Sequence, residues 1–159
     1  MLGEIRLLRS DTVRTVVIPA VLLFEPDSTK LSPKGRDFLA RVAAIIKNRN
    51  YPVTLNGYTD DAPARATGRE NNWYLSAERA LTVLLFLIQN GVKPDRLAAF
   101  GLAGFRPMVP NTNPQNRRLN NRVEMVMDSR DTSHHLLPEA EKERKLDFRG
   151  FTFDLMGEQ

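Results

Sequence analysis

Apolar positions along the chain follow two different periods, and the switches between them divide the first 128 residues into elements. In "EIRLLRSDTVRTVVIPAVLLF" two runs rich in β-branched and other apolar residues flank Ser10-Asp11, which predicts two strands joined by a turn. Pro19 donates no ladder hydrogen bond, so it belongs on an edge or at a strand end. "EPDSTKL" reads as a loop. A helix is predicted from Ser32 as N-cap and Pro33 as first helical residue. Its apolar face is Phe38, Leu39, Val42, Ile45 and Ile46, spaced by three and four, and Asn48 to Pro52 end it. "VTLNGY", residues 53–58, is a short strand.

A second helix is predicted from about Asn72 to Gln89. Ala77, Leu81, Leu84, Leu85 and Ile88 give it an apolar stripe, and Gly91 closes it. "KPDRL" suits one helical turn, "AAFGLAG" a further strand, and "RPMVPNTNPQ" a loop. "NNRVEMVMD" is the last strand, with Val123, Met125 and Met127 on one face. Strands and helices in this order predict an α/β two-layer sandwich, with two main helices packed on one mixed sheet. Beyond Asp128 the pattern decays into a charged appendage with one helical candidate, "PEAEKERKL", and an aromatic "FRGFTF".

The 159 residues are enough for one domain with an appendage. The net charge of +4 is unevenly spread: residues 128–159 hold five Lys or Arg against eight Asp or Glu, which leaves +7 on residues 1–127. A basic body favours polyanionic partners such as nucleic acid, anionic lipid or an acidic wall polymer, or else serves solubility alone. Cysteine is absent, which excludes disulfides, thiol nucleophiles and thiolate-bound metals. The longest apolar run in a helical context, residues 80–89, falls far short of the roughly 20 residues that span a bilayer.

Candidate chemistry concentrates in residues 57–79, "GYTDDAPARATGRENNWYLSAER". Asp60 and Asp61, or either with Glu70, are the possible acid–base pairs. Neighbours on an extended chain face opposite ways, however, so Asp60 and Asp61 do not share one substrate. The only histidines, His134 and His135, lie in the appendage, and no nucleophile–base or metal-ligand constellation is visible, so no enzyme and no cofactor are expected. Arg117, Arg118 and Arg122 cluster without interleaved aromatics or a reader motif, which disfavours nucleic acid. A zwitterion suits the loop better. A carboxylate at Asp60 suits an ammonium, and a guanidinium at Arg79 grips a carboxylate bidentately. The bland alternative is that Asp60 and Arg79 pair with each other and tie the loop to the helix.

"GYTDDAP…NNWYLSAERALTVLLFLIQNGVKPDRLAAFGLAG", followed by "RPMVPN…NRRLNNRVEM", resembles the OmpA-like, peptidoglycan-binding domain family over roughly Val17 to Met127. The resemblance implies an N-terminal segment with an edge strand (1–16), the wall-binding domain (17–128) and an appendage (129–159). It also implies a βαβαβ sandwich and a ligand, the diaminopimelate-containing stem peptide of peptidoglycan. The family's aspartate and arginine fall on Asp60 and Arg79, its supporting asparagine on Asn72, with Leu75 continuing that motif. Its last-strand arginine falls on Arg122 and a further basic position on Arg117. "TDDAP", "NWYLSAERA" and the long loop between Asp60 and Arg79 are similar to the MotB branch, the wall-binding part of the flagellar stator. That branch implies a homodimer, a MotA-like channel partner reached through a transmembrane helix absent from this sequence, no nucleic acid, and a periplasmic location. The rival readings are a general OmpA-like wall anchor of another envelope or secretion protein and, in a different class, a muramyl-cleaving enzyme.

Two positions depart from the family pattern. Tyr58 stands where a histidine is common, and Asn121 stands where an arginine is frequent, which leaves fewer positive charges near the ligand. Trp73, the only tryptophan, is expected half-buried beside the helix start, and Phe100 and Phe105 in the core or under the following loop.

Overall fold

The computed structural model describes residues 4–63, 71–129, 145–148 and 151–154. One five-stranded sheet runs in the order β1 (Arg6–Ser10), β2 (Val13–Pro19), β5 (Arg122–Asp128), β3 (Val53–Tyr58), β4 (Leu97–Gly101). Only β3 and β4 are parallel; the other neighbours are antiparallel. Among the described residues four α-helices accompany it: α1 (Ala20–Leu23), α2 (Pro33–Ile46), α3 (Asn72–Gln89) and α4 (Pro114–Asn120). The chain is thus the α/β sandwich that the alternation predicts.

Sheet register sets the core. Val16, Met125, Leu55 and Ala99 form one cross-strand row, and Ile18, Val123, Gly57 and Gly101 form the next. Both rows face the helices, where Leu39, Ala43 and Ile46 of α2 and Ala80, Val83 and Leu87 of α3 complete the buried cluster. The Ser32 hydroxyl accepts from the Gly35 N–H at 2.9 Å with Pro33 at the first helical position, so α2 starts where its capping signals predict. Pro19 ends β2, where its missing N–H breaks no ladder.

Two glycines fix how close α3 comes. A Cβ on Gly57 would lie 2.1 Å from the Ser76 carbonyl oxygen, and one on Gly101 would lie 2.5 Å from the Ala77 nitrogen. The first turns of α3 therefore rest directly on the backbone of β3 and β4. Ser76 is fully buried there, donating to the Trp73 carbonyl at 3.0 Å and accepting from the Ala103 N–H at 3.1 Å.

This close seat shifts the expected phase of α3: Ala77 rests on Gly101 and Leu84 packs against the core, but the rest of the buried face moves round. Its buried residues are Leu75, Ser76, Arg79, Ala80, Val83 and Leu87, whereas Leu81 and Leu85 of the expected stripe are 47% and 48% exposed. The small residues Ser76 and Ala77 are the ones seated on the glycine row, where a larger side chain would not fit, and Ala80 is buried one turn further on. On α2, Ile45 is 65% exposed, outside the buried face. The apolar run after Pro19 forms α1, not the continuation of a strand. The loop after β4 contains α4, whose first residue is Pro114 and whose N-cap Asn113 accepts from the Asn116 N–H through its side chain. Phe105 is 62% exposed instead of packed away.

The appendage contributes an antiparallel pair, β6 (Lys145–Phe148) and β7 (Phe151–Asp154). The last two residues of the "PEAEKERKL" helix candidate, Lys145 and Leu146, lie in β6; the rest of it, like His134 and His135, lies outside the described residues. Among the described residues no helix is long and apolar enough to cross a membrane.

Candidate functional site

β3 delivers the chain to Thr59 and Asp60 beside the N-terminal turns of α3, and a cavity of about 690 Å³ opens there. Its walls come from α1 and the loop after it (Phe24, Asp27), the segment after β3 (Asp60, Ala62), one side of α3 (Asn72, Leu75, Arg79) and the region before β5 (Arg118, Asn121). Positions 72, 75 and 79 share a helix face because they are spaced by three and four.

Asp60 is held from two sides. One carboxylate oxygen accepts from the Ala62 N–H at 2.9 Å, an Asx turn that sets the loop. The other accepts from Asn121 Nδ2 at 2.6 Å, while Asn121 Oδ1 accepts from the Asp60 N–H at 3.3 Å. Asn72 braces the same loop, donating from Nδ2 to the Ala62 carbonyl at 2.9 Å; its Oδ1 is buried and takes no hydrogen bond among the described residues. An amide beside Asp60 steadies the carboxylate without neutralising it.

Arg79 is 9% exposed. Its Nε donates to the Ser28 carbonyl at 3.3 Å, and its guanidinium carbon sits 5.3 Å from the centre of the Phe24 ring. Burial lowers its pKa from the ordinary arginine value, and the negative charges of Asp27 and then Asp60 oppose that fall. No ion pair joins Asp60 to Arg79 among the described ion pairs. The bland alternative, a direct tie between loop and helix, is therefore not what the structure contains. A fixed carboxylate and a desolvated guanidinium share one cavity without cancelling each other, which suits a molecule carrying both an ammonium and a carboxylate.

Four of the six expected residues, Asp60, Asn72, Leu75 and Arg79, line the cavity; Arg117 and Arg122 do not. Arg117 pairs with Asp61 at 3.0 Å on the surface. Arg122 is 3% exposed, 2.8 Å from Glu124, bonded to the Asn120 and Arg106 carbonyls, and stacked over Tyr58 with 3.9 Å from guanidinium carbon to ring centre. It pins the loop before α4 to the sheet, so its charge is spent inside the fold. Tyr58 beneath it has a raised pKa, first from burial and then from the Glu124 charge.

Arg118, Asn121 and Asp27 are among the lining residues that the sequence reading does not assign to the site. Arg118 takes the place expected of Arg117, and only the helical phase of α4 decides between the neighbours. Asn121 reads in sequence as a lost charge, whereas its amide clamps Asp60. Asp27 adopts a left-handed backbone, φ 52°, in a loop whose sequence signals only a turn. Replacing Asn121 with alanine removes both bonds to Asp60 and is expected to cost about 1.5–3 kcal/mol of stability, read as a lower urea midpoint. Among the described residues no three His, Asp or Glu side chains gather as metal ligands.

Residues 23–122 match the OmpA family. Motility protein B of Helicobacter pylori is 33% identical over 129 residues, covering 77% of this chain and 50% of that protein. Peptidoglycan-binding protein ArfA of Mycobacterium tuberculosis is 38% identical over 109 residues, covering 67% of this chain and 32% of that protein. The chain thus spans half or less of these relatives. The crystal structure of the periplasmic domain of Helicobacter pylori MotB superposes with a TM-score of 0.72 at 30% identity, covering 80% of this chain and 83% of that one.

Proposed function

The chain belongs to the OmpA family, and from that premise we propose that it binds peptidoglycan non-covalently, holding the diaminopimelate of the stem peptide between Asp60 and Arg79. The observation that carries this reading is that both groups line one cavity without pairing. Asp60 receives the ammonium and Arg79 the carboxylate of the same side-chain terminus, while Asn72 and Asn121 hold the loop and Leu75 packs beside the aliphatic stem. Arg118 replaces Arg117 and Arg122 as the basic residue at the rim. No proton transfer or nucleophile is required, and the role is anchoring and not cleavage.

The similarity to motility protein B and to the MotB periplasmic domain supports a finer reading. Residues 17–128 form the wall-binding unit of a periplasmic, dimeric stator component, and a MotA-like channel is the partner of the whole protein. Peptidoglycan binding by the ArfA relative supports the coarser one.

The test is pelleting with purified sacculi of two chemistries. Lysine offers the ammonium of diaminopimelate but no second carboxylate, so it leaves Arg79 without an anion. The chain is expected to pellet with diaminopimelate-type sacculi and to bind lysine-type sacculi at least roughly tenfold more weakly, the value of one charge-assisted contact. Equal pelleting with both, abolished by salt, would assign the binding to the basic surface instead.

A further inference from the structure

Trp73 and Phe105 are 45% and 62% exposed and lie against each other, ring centres 5.0 Å apart at 33°. Two large rings held side by side at the surface offer a flat, rigid-faced apolar patch to a ligand. We infer that this pair is a sugar platform: a second subsite that takes a pyranose ring of the glycan strand whose stem peptide occupies the Asp60–Arg79 cavity. The inference rests on the functional reading above and extends it from the peptide to the sugar.

Position is the first argument. Trp73 follows Asn72 in the chain, and Asn72 lines the cavity. Phe105 follows Gly104, where an added Cβ would lie 3.2 Å from the Asp60 carbonyl oxygen. Each ring thus starts one residue, about 3.8 Å of backbone, from the cavity rim or its support. The stem peptide begins on a sugar of the strand, so a captured diaminopimelate keeps that sugar within a few residues' reach at about 3.5 Å each.

Rigidity is the second. The loop bearing Phe105 is fastened on both sides: Thr59 N–H donates to the Ala103 carbonyl at 2.9 Å, Leu102 N–H to the Gly57 carbonyl at 2.9 Å, and Ala103 N–H to Ser76 Oγ at 3.1 Å. Trp73 is itself fixed by the helix cap, its N–H donating to Asn71 Oδ1 at 2.8 Å. These bonds fix the backbone of both residues, and the ring–ring contact pairs their side chains, so binding has only those rotamers left to order. Chemistry is the third. The negative face of an aromatic ring attracts the weakly positive C–H edge of a pyranose, while the sugar hydroxyls stay in water, so a partly exposed platform suits a sugar better than it suits a buried apolar partner.

Trp73 is the only tryptophan in the chain, so its emission reports the platform directly. Titration with disaccharide-tetrapeptide and with the same tetrapeptide freed of sugar separates the two subsites. The sugar-bearing ligand is expected to bind roughly three- to tenfold tighter and to change the Trp73 emission, whereas the free peptide leaves the emission unaltered. By calorimetry, Trp73→Ala and Phe105→Ala should each reduce the disaccharide-peptide to the affinity of free peptide without changing the latter. Phe105, largely exposed, tests the platform without threatening the fold. Equal affinity of the unsubstituted chain for both ligands would overturn the inference and leave the peptide pocket standing. So would either variant weakening both ligands alike, or changing only the oligomeric state. Binding of neither ligand by the unsubstituted chain would overturn the functional reading, and the platform with it.

Discussion

Replacing Arg79 with methionine is expected to abolish specific retention on peptidoglycan while leaving the stability of the fold nearly unchanged or raised. Methionine keeps much of the length and the contact with Phe24 but offers no charge. On the binding side, the carboxylate of the ligand would enter a desolvated cavity with no guanidinium to receive it. Loss of one partner of such a buried charged contact costs about 2–5 kcal/mol, roughly thirtyfold to several-thousandfold in affinity. On the stability side the sign runs the other way. The folded chain binds the Arg79 proton less tightly than the unfolded chain does, because burial dominates the lowered pKa. The charge therefore destabilises the unliganded fold at every pH below the ordinary arginine range. The hydrogen bond to Ser28 and the ring contact with Phe24 offset part of this cost. Urea denaturation should show an unfolding free energy within about 1 kcal/mol of the unsubstituted chain, or higher, alongside lost pelleting. Unchanged pelleting would remove Arg79 from the binding site. A collapse of stability would make it a structural residue.

The second large effect is expected at Gly57, which touches no ligand. An alanine methyl group there would meet the carbonyl oxygen of Ser76 at 2.1 Å, closer than any real carbon–oxygen contact. The obstacle is backbone in the second turn of α3, so no side chain can turn aside and the whole helix must lift. Overpacking of this kind typically costs 1–3 kcal/mol, and a rigid backbone neighbour places Gly57→Ala at about 3 kcal/mol. Lifting α3 also moves Arg79 relative to Asp60, so affinity should fall even in conditions where the variant stays folded. A lowered urea midpoint together with weaker pelleting would support this coupling; a midpoint like that of the unsubstituted chain would show that the sheet yields instead of the helix.

These two residues also show what a sequence does and does not reveal here. Capping signals at Ser32 and the alternation of Val123, Met125 and Met127 are local, and each appears where its local rule puts it; the turn expected at Ser10-Asp11 forms one residue later, at Asp11-Thr12. The face of α3 is not local. Leu81 and Leu85 are the better apolar candidates by periodicity, yet they lie outward because the glycine row of β3 and β4 admits only small residues. A period-finding argument weighs side chains and cannot see a missing Cβ on a strand that comes earlier or later in the chain. The cavity residues divide in the same way. Asp60, Asn72, Leu75 and Arg79 lie within two segments whose spacing shows in sequence. Asn121 and Asp27 reach the cavity only through the sheet order and a left-handed loop residue. Arg122 stands in a last-strand motif, but its neighbours Glu124 and Tyr58 enclose it, and Asn121, the C-cap of α4 just ahead of β5, lines the cavity instead.

The position of β5 has a consequence for how the molecule comes into being. It is synthesised after every other strand of the five-stranded sheet, yet it lies in the middle, between β2 and β3. Until residue 128 has left the ribosome, the N-terminal hairpin and the β3–α3–β4 unit have no strand to join them. Asn121, the clamp on Asp60, arrives just ahead of it. The nascent chain therefore cannot complete its core or its ligand cavity piecemeal. Both are finished in one late, long-range step, and a chain cut short before that step has neither.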